Sequence, residues 1–263
     1  MQRIMFSNPF LDAVKLIETK VCPNCEREYE VKEITLKNGR KIITDDCFTC
    51  QIEKENRDIA KDAKQQFHRI KNKIFDEISH VPLGLENATF DNYTPNNDSQ
   101  QKALNISLEF ANGTLDKSTL FFQGDTGLGK SHLSHATYKK FKDEGKTAIF
   151  VDLPSLLTTI RSTFNKNDRF TKEKILDLVS ECELLVLDDV GAEYVKPDAN
   201  GYESWAADIL FQVVNVRQGK KTIYTTNFNS KQLSQKYGMM SKRIISRMMN
   251  NAKVIKIEGQ DHR

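Results

Sequence analysis

Residues 124–131 read Gly124-Asp125-Thr126-Gly127-Leu128-Gly129-Lys130-Ser131, a complete G-x-x-x-x-G-K-S phosphate-binding loop. Its flanks decide how much weight it carries. An apolar run, Ser118 to Phe122, leads into the loop, and a helix-period stretch, His132 to Phe141, leads out of it. In such a strand–loop–helix the glycines let backbone N–H groups wrap phosphate oxygens. The helix N-terminus adds its positive dipole end. Lys130 is then placed to reach the β- and γ-phosphates of a nucleotide, and Ser131 to ligate magnesium.

A phosphate loop needs carboxylates on a second strand, and Leu184-Leu185-Val186-Leu187-Asp188-Asp189 supplies them. Asp188 is expected to hold the magnesium shell, and Asp189 stands where a base is needed to activate water for hydrolysis. A third strand, Lys221-Thr222-Ile223-Tyr224-Thr225-Thr226-Asn227, ends in a polar side chain. Asn227 there can position the attacking water or sense the γ-phosphate.

Working outward, short apolar strands alternate with helix-period segments. The strands are Thr119–Gln123, Thr147–Asp152, Leu184–Asp188, Thr222–Thr226 and Val254–Ile257. Alternation of this kind predicts an α/β fold with a mostly parallel sheet flanked by helices on both faces. Cys182, alone before an apolar strand, reads as a small core residue. His132 and His135 lie on the helix after the loop without acidic or Cys companions at metal spacing, so surface or packing roles are expected for them.

The N-terminal third is different. Cys22-Pro-Asn-Cys25 and Cys47-Phe-Thr-Cys50 are two knuckles separated by 21 residues. Two such turns complete a tetrahedral four-thiolate shell around Zn2+. A disulfide pairing is the alternative reading of the same cysteines. Between the knuckles, a strand-like alternation around Lys37-Asn38-Gly39 predicts a β-hairpin too small to bury a core of its own. Asn8-Pro9 reads as a helix start, with Phe10, Leu11, Val14 and Ile17 on one face of a short helix. From Gln51 to His80 there is no Gly or Pro, and Ile52, Ile59, Ala63, Phe67, Ile70, Ile74 and Ile78 form an apolar stripe on a charged helix. That stripe is either a core-packing face or a surface for a partner. Val81-Pro82-Leu83-Gly84 breaks the helix.

Composition bounds the partners. Lys+Arg 39 against Asp+Glu 36 leaves a net charge of +3, so any grip on nucleic acid has to be local rather than a matter of bulk basicity. No apolar run approaches the roughly 18 residues needed to span a bilayer. Pro9 and Asp12 interrupt the N-terminal apolar stretch, so neither a membrane partner nor a secretory leader is expected, and the expected location is cytoplasmic.

Taken together, GDTGLGKS, LLVLDDVGAE, TIYTTN and the C-terminal KRIISRM resemble the AAA+ ATPases of the bacterial replicative helicase loaders, the DnaC/DnaI type. The insertion-sequence helper ATPases of the IstB type share much of this pattern. The resemblance covers roughly residues 85–263, and the four-cysteine module before it is similar to the DnaI branch. It implies three parts: an N-terminal helix and zinc module over 1–50, a linker helix over 51–84, and an AAA+ ATPase domain over 85–263. With 36 residues after Asn227, the helical lid is expected to be absent or abbreviated.

The resemblance further implies ATP as the nucleotide and a hexameric replicative DNA helicase as the partner docked by the zinc module. It implies single-stranded DNA as a second partner and self-association through the ATP site. On this reading Arg243 projects into a neighbouring subunit's site, with Arg247 a second candidate and Arg263 a terminal nucleotide contact. Arg161 is a candidate DNA-phosphate contact and Phe164 a base-stacking face, unless Phe164 packs in the core; Lys166 and Arg169 extend the basic character. Asp189, one methylene shorter than the Glu common in AAA+ enzymes, implies slow hydrolysis. Two rival functions stay open: a transposition helper ATPase of the IstB type, and a non-hydrolysing ATP-binding zinc adaptor. The source is left between a cell's own replication machinery and a phage or other mobile element.

Overall fold

In the computed structural model of the protein, residues 11–164, 170–194 and 205–259 are described, with side chains throughout except at 11–12 and 64–71. Asn8, Pro9, Phe10, Lys166, Arg169 and Arg263 lie outside these residues. The chain forms two compact units that divide between Phe67 and His68.

The first unit is an antiparallel sheet of three strands in the order β1-β2-β3: β1 (Leu11–Val21), β2 (Glu28–Leu36) and β3 (Lys41–Thr44). The expected hairpin is present as β2 and β3. Gly39 turns it at φ +77°, with its N–H donating to Leu36 O. The short N-terminal helix is not: Leu11, Val14 and Ile17 belong to β1, paired with β2 from Leu11↔Leu36 to Val21↔Glu28. The pairing register slips between Leu11 and Ala13 and again between Leu16 and Glu18. A bulge inserts a residue into the two-residue alternation, so apolar side chains of a bulged strand recur at the three-residue spacing of a helix.

Helix α1 (Phe48–Ile78) follows β3. Its stripe divides in two. Ile74 and Ile78 join Phe75 in the core of the second unit, whereas Ile52 and Ile59 are exposed. The side chains of Phe67 and Ile70 fall outside those described. Within the second unit, Lys142 pairs with Asp76 near the end of α1 at 2.6 Å.

That unit continues with α2 (Asp98–Asn112), β4 (Thr119–Gln123), α3 (Lys130–Asp143), β5 (Ala148–Asp152), α4 (Leu153–Ser162) and α5 (Lys172–Glu181). Then come β6 (Leu184–Asp188), α6 (Trp205–Val216), β7 (Thr222–Thr226), α7 (Ser230–Tyr237), α8 (Ser241–Met248) and β8 (Ala252–Lys256). The five strands are parallel in the order β5-β6-β7-β4-β8. Strands buried on both faces read as continuous apolar runs rather than alternating ones, which is why they stand out in the sequence. Phe121, Ile149, Leu185 and Leu187 face a core built with α4 to α8. Leu120, Phe122, Phe150, Val186 and Ile223 face the core built with α2 and α3. After Asn227 the described chain forms only α7, a short 3-10 turn and α8 before β8 returns to the sheet, so the lid is abbreviated.

Cys182 is buried as expected, and it has a partner not foreseen. Arg217 is buried too, and its guanidinium donates to the carbonyls of Val179, Ser180, Cys182 and Lys221. It caps the carboxyl end of α5, where backbone carbonyls lack helical partners. Among the described residues, no helix is long and apolar enough to cross a membrane.

Candidate functional site

In a parallel sheet the loops at the carboxyl ends of the strands gather on one edge, and ligands bind there. Strand β7 lies between β4 and β6. The phosphate loop after β4 and the aspartates ending β6 therefore flank Asn227 at the end of β7. A cleft of about 410 Å³ runs between them, lined by residues 126–132 with Asp188, Asp189 and Asn227. Its other wall is Pro82, Gly84 and Leu85, which in the sequence read only as a helix break and carried no binding signal.

Gly129 ends the loop at φ +87°, and a Cβ there would come within 2.5 Å of the Tyr93 ring. Only glycine lets α3 start this close to Tyr93. Lys130, the first residue of α3, is buried, and its Nζ donates to Gly124 O at 2.9 Å and Asp125 O at 2.6 Å. The ammonium is thus held inside the loop that phosphates would enter.

Ser131 Oγ donates to Asp188 Oδ1 at 3.0 Å, and Thr225 Oγ1 donates to the same oxygen at 2.5 Å. Burial pushes the Asp188 carboxyl up to about 6, and the adjacent Asp189 charge pushes the same way; Thr225, Ser131 and Lys130 oppose. A desolvated carboxylate of this kind gains most from a cation. An octahedral magnesium with bonds of about 2.0–2.1 Å sets neighbouring ligands roughly 2.9 Å apart. The Ser131–Asp188 spacing fits it.

Asp189 has a left-handed backbone (φ +51°), held by its N–H donating to Thr225 Oγ1 at 2.9 Å. Among side chains other than glycine, Asp and Asn tolerate this conformation best. Thr225 therefore organises both aspartates; the polar TTN ending of an otherwise buried strand was its signal. His132 Nε2 donates to Thr89 O at 2.8 Å and His135 Nδ1 to Ala88 O at 3.0 Å, and His135 is buried.

Arg243 and Arg247 part company on α8. Arg247 Nε donates to Asn215 Oδ1 at 2.9 Å, and its guanidinium lies over the Phe211 ring. Arg243 is exposed. At the end of α4, Phe164 is 63% exposed, so it does not pack in the core. Its ring lies 6.3 Å from that of Trp205, and the Arg161 guanidinium sits 4.9 Å over the same indole. Trp205, the chain's single tryptophan, completes a cluster for which the sequence supplied only two members.

In the first unit the four knuckle cysteines converge, with all four sulfurs within 4.8 Å of one another. Cys22 and Cys50 are 3.5 Å apart and Cys25 and Cys47 3.6 Å, whereas a disulfide needs about 2.05 Å. A tetrahedral zinc with Zn–S bonds of about 2.3 Å separates its sulfurs by roughly 3.8 Å, so the cluster fits that ion. Backbone N–H groups of Asn24 and Cys25 draw the Cys22 thiol down to about 7, while the neighbouring thiols Cys22 and Cys25 push Cys50 up to about 12. Four thiols this close shed their protons together only when a cation takes the charge. Asp45 accepts from Lys20 at 2.6 Å and Tyr29 at 2.9 Å, fixing the chain that leads into the second knuckle.

A third strand interposed between the phosphate-loop strand and the aspartate strand, with its polar end between their loops, defines an AAA+ type of P-loop ATPase domain. Residues 60–263 match the family of IstB-like ATP binding proteins, and the chain belongs to that family. The replicative helicase loader DnaC of Buchnera aphidicola subsp. Baizongia pistaciae (strain Bp) is 30% identical over 165 residues, 62% of this chain and 63% of its own. The match thus spans less than two thirds of that relative. The crystal structure of the DnaC helicase loader superposes with a TM-score of 0.56 at 26% identity, over 67% of this chain and all of the other. The structure of DnaI shares the fold, with a TM-score of 0.56 at 23% identity over 70% of this chain and 95% of the other.

Proposed function

We propose that the protein is an ATP-dependent loader of a hexameric replicative DNA helicase. The zinc module docks the helicase, and the ATPase domains assemble with ATP at their seams and engage single-stranded DNA. The observation that carries the reading is the Ser131–Asp188 contact at 3.0 Å beside the phosphate loop, in a chain whose relatives include helicase loaders.

The loop N–H groups and Lys130 bind the triphosphate, and Ser131 with Asp188 would hold magnesium, which would supply positive charge against the charge developing on the phosphates. Asp189 accepts a proton from the attacking water, and Asn227 orients that water against the γ-phosphate. Arg243 of a neighbouring subunit stabilises the transferring phosphoryl group. Aspartate is a short reach for water, so turnover is slow, and the protein acts as an ATP switch whose hydrolysis favours release. Cys22, Cys25, Cys47 and Cys50 hold zinc in a closed structural site.

The test mixes the full chain with a hexameric replicative helicase and follows both complex formation and ATP turnover, with and without single-stranded DNA. A stable complex and turnover abolished by Lys130→Ala are expected. Absence of a complex, with turnover stimulated by duplex DNA instead, would move the assignment to a transposition helper.

A further inference from the structure

Between Asp189 and the end of the described β6 loop lies a carboxylate that the proposed chemistry does not use. Glu193 is 2% exposed. Its Oε2 accepts from the Gly191 N–H at 2.9 Å, and its backbone carbonyl accepts from Lys236 Nζ at 2.5 Å. Gly191 has φ +102°, and a Cβ there would come within 2.6 Å of the Phe228 ring. The turn is also bound from within and from β7: Ala192 N–H donates to Asp189 O at 3.0 Å, and Thr226 Oγ1 donates to Val190 O at 2.6 Å. The segment bearing Asp189 is therefore pressed onto the start of α7, and Glu193 holds its tightest point.

The remaining carboxylate oxygen faces a second buried group. Tyr237, the last residue of α7, lies close enough for its hydroxyl and the Glu193 carboxylate to act on each other. Both Glu193 Oε1 and Tyr237 Oη are buried. Directly after Tyr237 come the Gly238–Met240 turn and α8, the helix that carries Arg243.

We infer that Glu193 is a positioning residue: it orients the Asp189 turn through Gly191 and pairs with Tyr237. That pairing locks the turn of one subunit's site to the helix that offers Arg243 to the next. The inference rests on the hydrolysis reading above. It makes Tyr237 a link between a subunit's own site and the arginine it lends.

The test uses the full chain and four variants: Lys130→Ala, Glu193→Ala, Glu193→Gln and Tyr237→Phe. Misplacing a water-positioning group by an ångström costs up to about 100-fold, so Glu193→Ala is expected to lower kcat at least about 10-fold, with KM for ATP changed less than about 3-fold. Glu193→Gln, which still accepts from Gly191 and can pair with Tyr237, should recover kcat to within about 3-fold of wild type. Tyr237→Phe removes the hydroxyl that faces the Glu193 carboxylate. It should melt within a few degrees of the wild type and still lose about 5-fold or more in kcat at protein concentrations where assembly is complete. Wild-type kcat in Tyr237→Phe, or a Glu193→Ala loss matched by KM, would overturn the inference alone. A wild-type rate no higher than that of Lys130→Ala would overturn the hydrolysis reading, and this inference with it.

Discussion

Ser131 Oγ and Asp188 Oδ1 meet at 3.0 Å, joining the first turn of α3 to the last residue of β6 across the intervening strand β7. The two residues are 57 apart in the chain, and their contact joins two separate sequence patterns into one polar pocket. The pocket is built at a cost, because Asp188 is buried beside a second aspartate.

That cost has a pH signature. The Asp188 carboxyl stands at about 6 against 3.8 in its unperturbed state, with burial as the main cause. Below pH 3.8 it is protonated folded or unfolded, and its contribution is at its most favourable. As pH rises from 3.8 to about 6 the unfolded chain loses this proton first, so stability is lost, by on the order of 3 kcal/mol in full. Asp188→Asn should therefore melt higher than wild type at pH 7.5 without nucleotide and converge with it near pH 4. Calorimetry across that range checks this; a variant less stable at pH 7.5 would contradict it. The same variant should lose magnesium-dependent ATP binding.

One zinc per chain is expected on elemental analysis of the 263-residue chain. Cys22→Ser and Cys50→Ser should each lower that stoichiometry well below one. Chelation should melt the three-stranded sheet, since a hairpin this small depends on its metal, while fluorescent-ATP affinity stays within about 2-fold because the cleft lies in the other unit. Full metal retention in both cysteine variants would refute the assignment.

Trp205 reports on the DNA reading without a label. Single-stranded oligonucleotide should alter its emission, because Arg161 and Phe164 both lie against the indole. Phe164→Ala should weaken binding by about 1–3 kcal/mol, the usual worth of a stacked base. Arg161→Ala should also reduce the salt dependence of binding. An unchanged spectrum at saturating oligonucleotide would exclude this cluster.

Arg243→Ala should lower turnover by about 100-fold or more and leave ATP affinity intact, whereas Arg247→Ala should act mainly on stability through Asn215 and Phe211. Mixing Arg243→Ala with Lys130→Ala should restore part of the activity, since one variant keeps an intact site and the other an intact arginine. No gain on mixing would count against action between subunits.

Much of the second unit was readable because its signals are local. A glycine-rich loop works through its own backbone, and strands buried on both faces must be apolar along their whole length. The phosphate loop, Asp188, Asp189 and Asn227 therefore all appear as short contiguous patterns at strand ends. The convergence of four cysteines was readable for the same reason, since knuckle spacing is itself local. The N-terminal helix was misread because helical spacing in Leu11, Val14 and Ile17 is imitated by a bulged strand, and the partner strand that decides the matter lies elsewhere in the chain.

By itself, then, the sequence determined the class of fold, the phosphate loop with its aspartates, and the four cysteines that cluster. Tertiary structure alone decided that Thr225 serves both aspartates, that Phe164 is exposed against Trp205, that Arg247 is engaged while Arg243 is exposed, and that Glu193 is buried beneath Gly191. The division has a physical cause. Backbone conformation and continuous burial leave their mark on neighbouring residues, whereas side-chain exposure and pairing depend on surfaces brought together from distant parts of the chain.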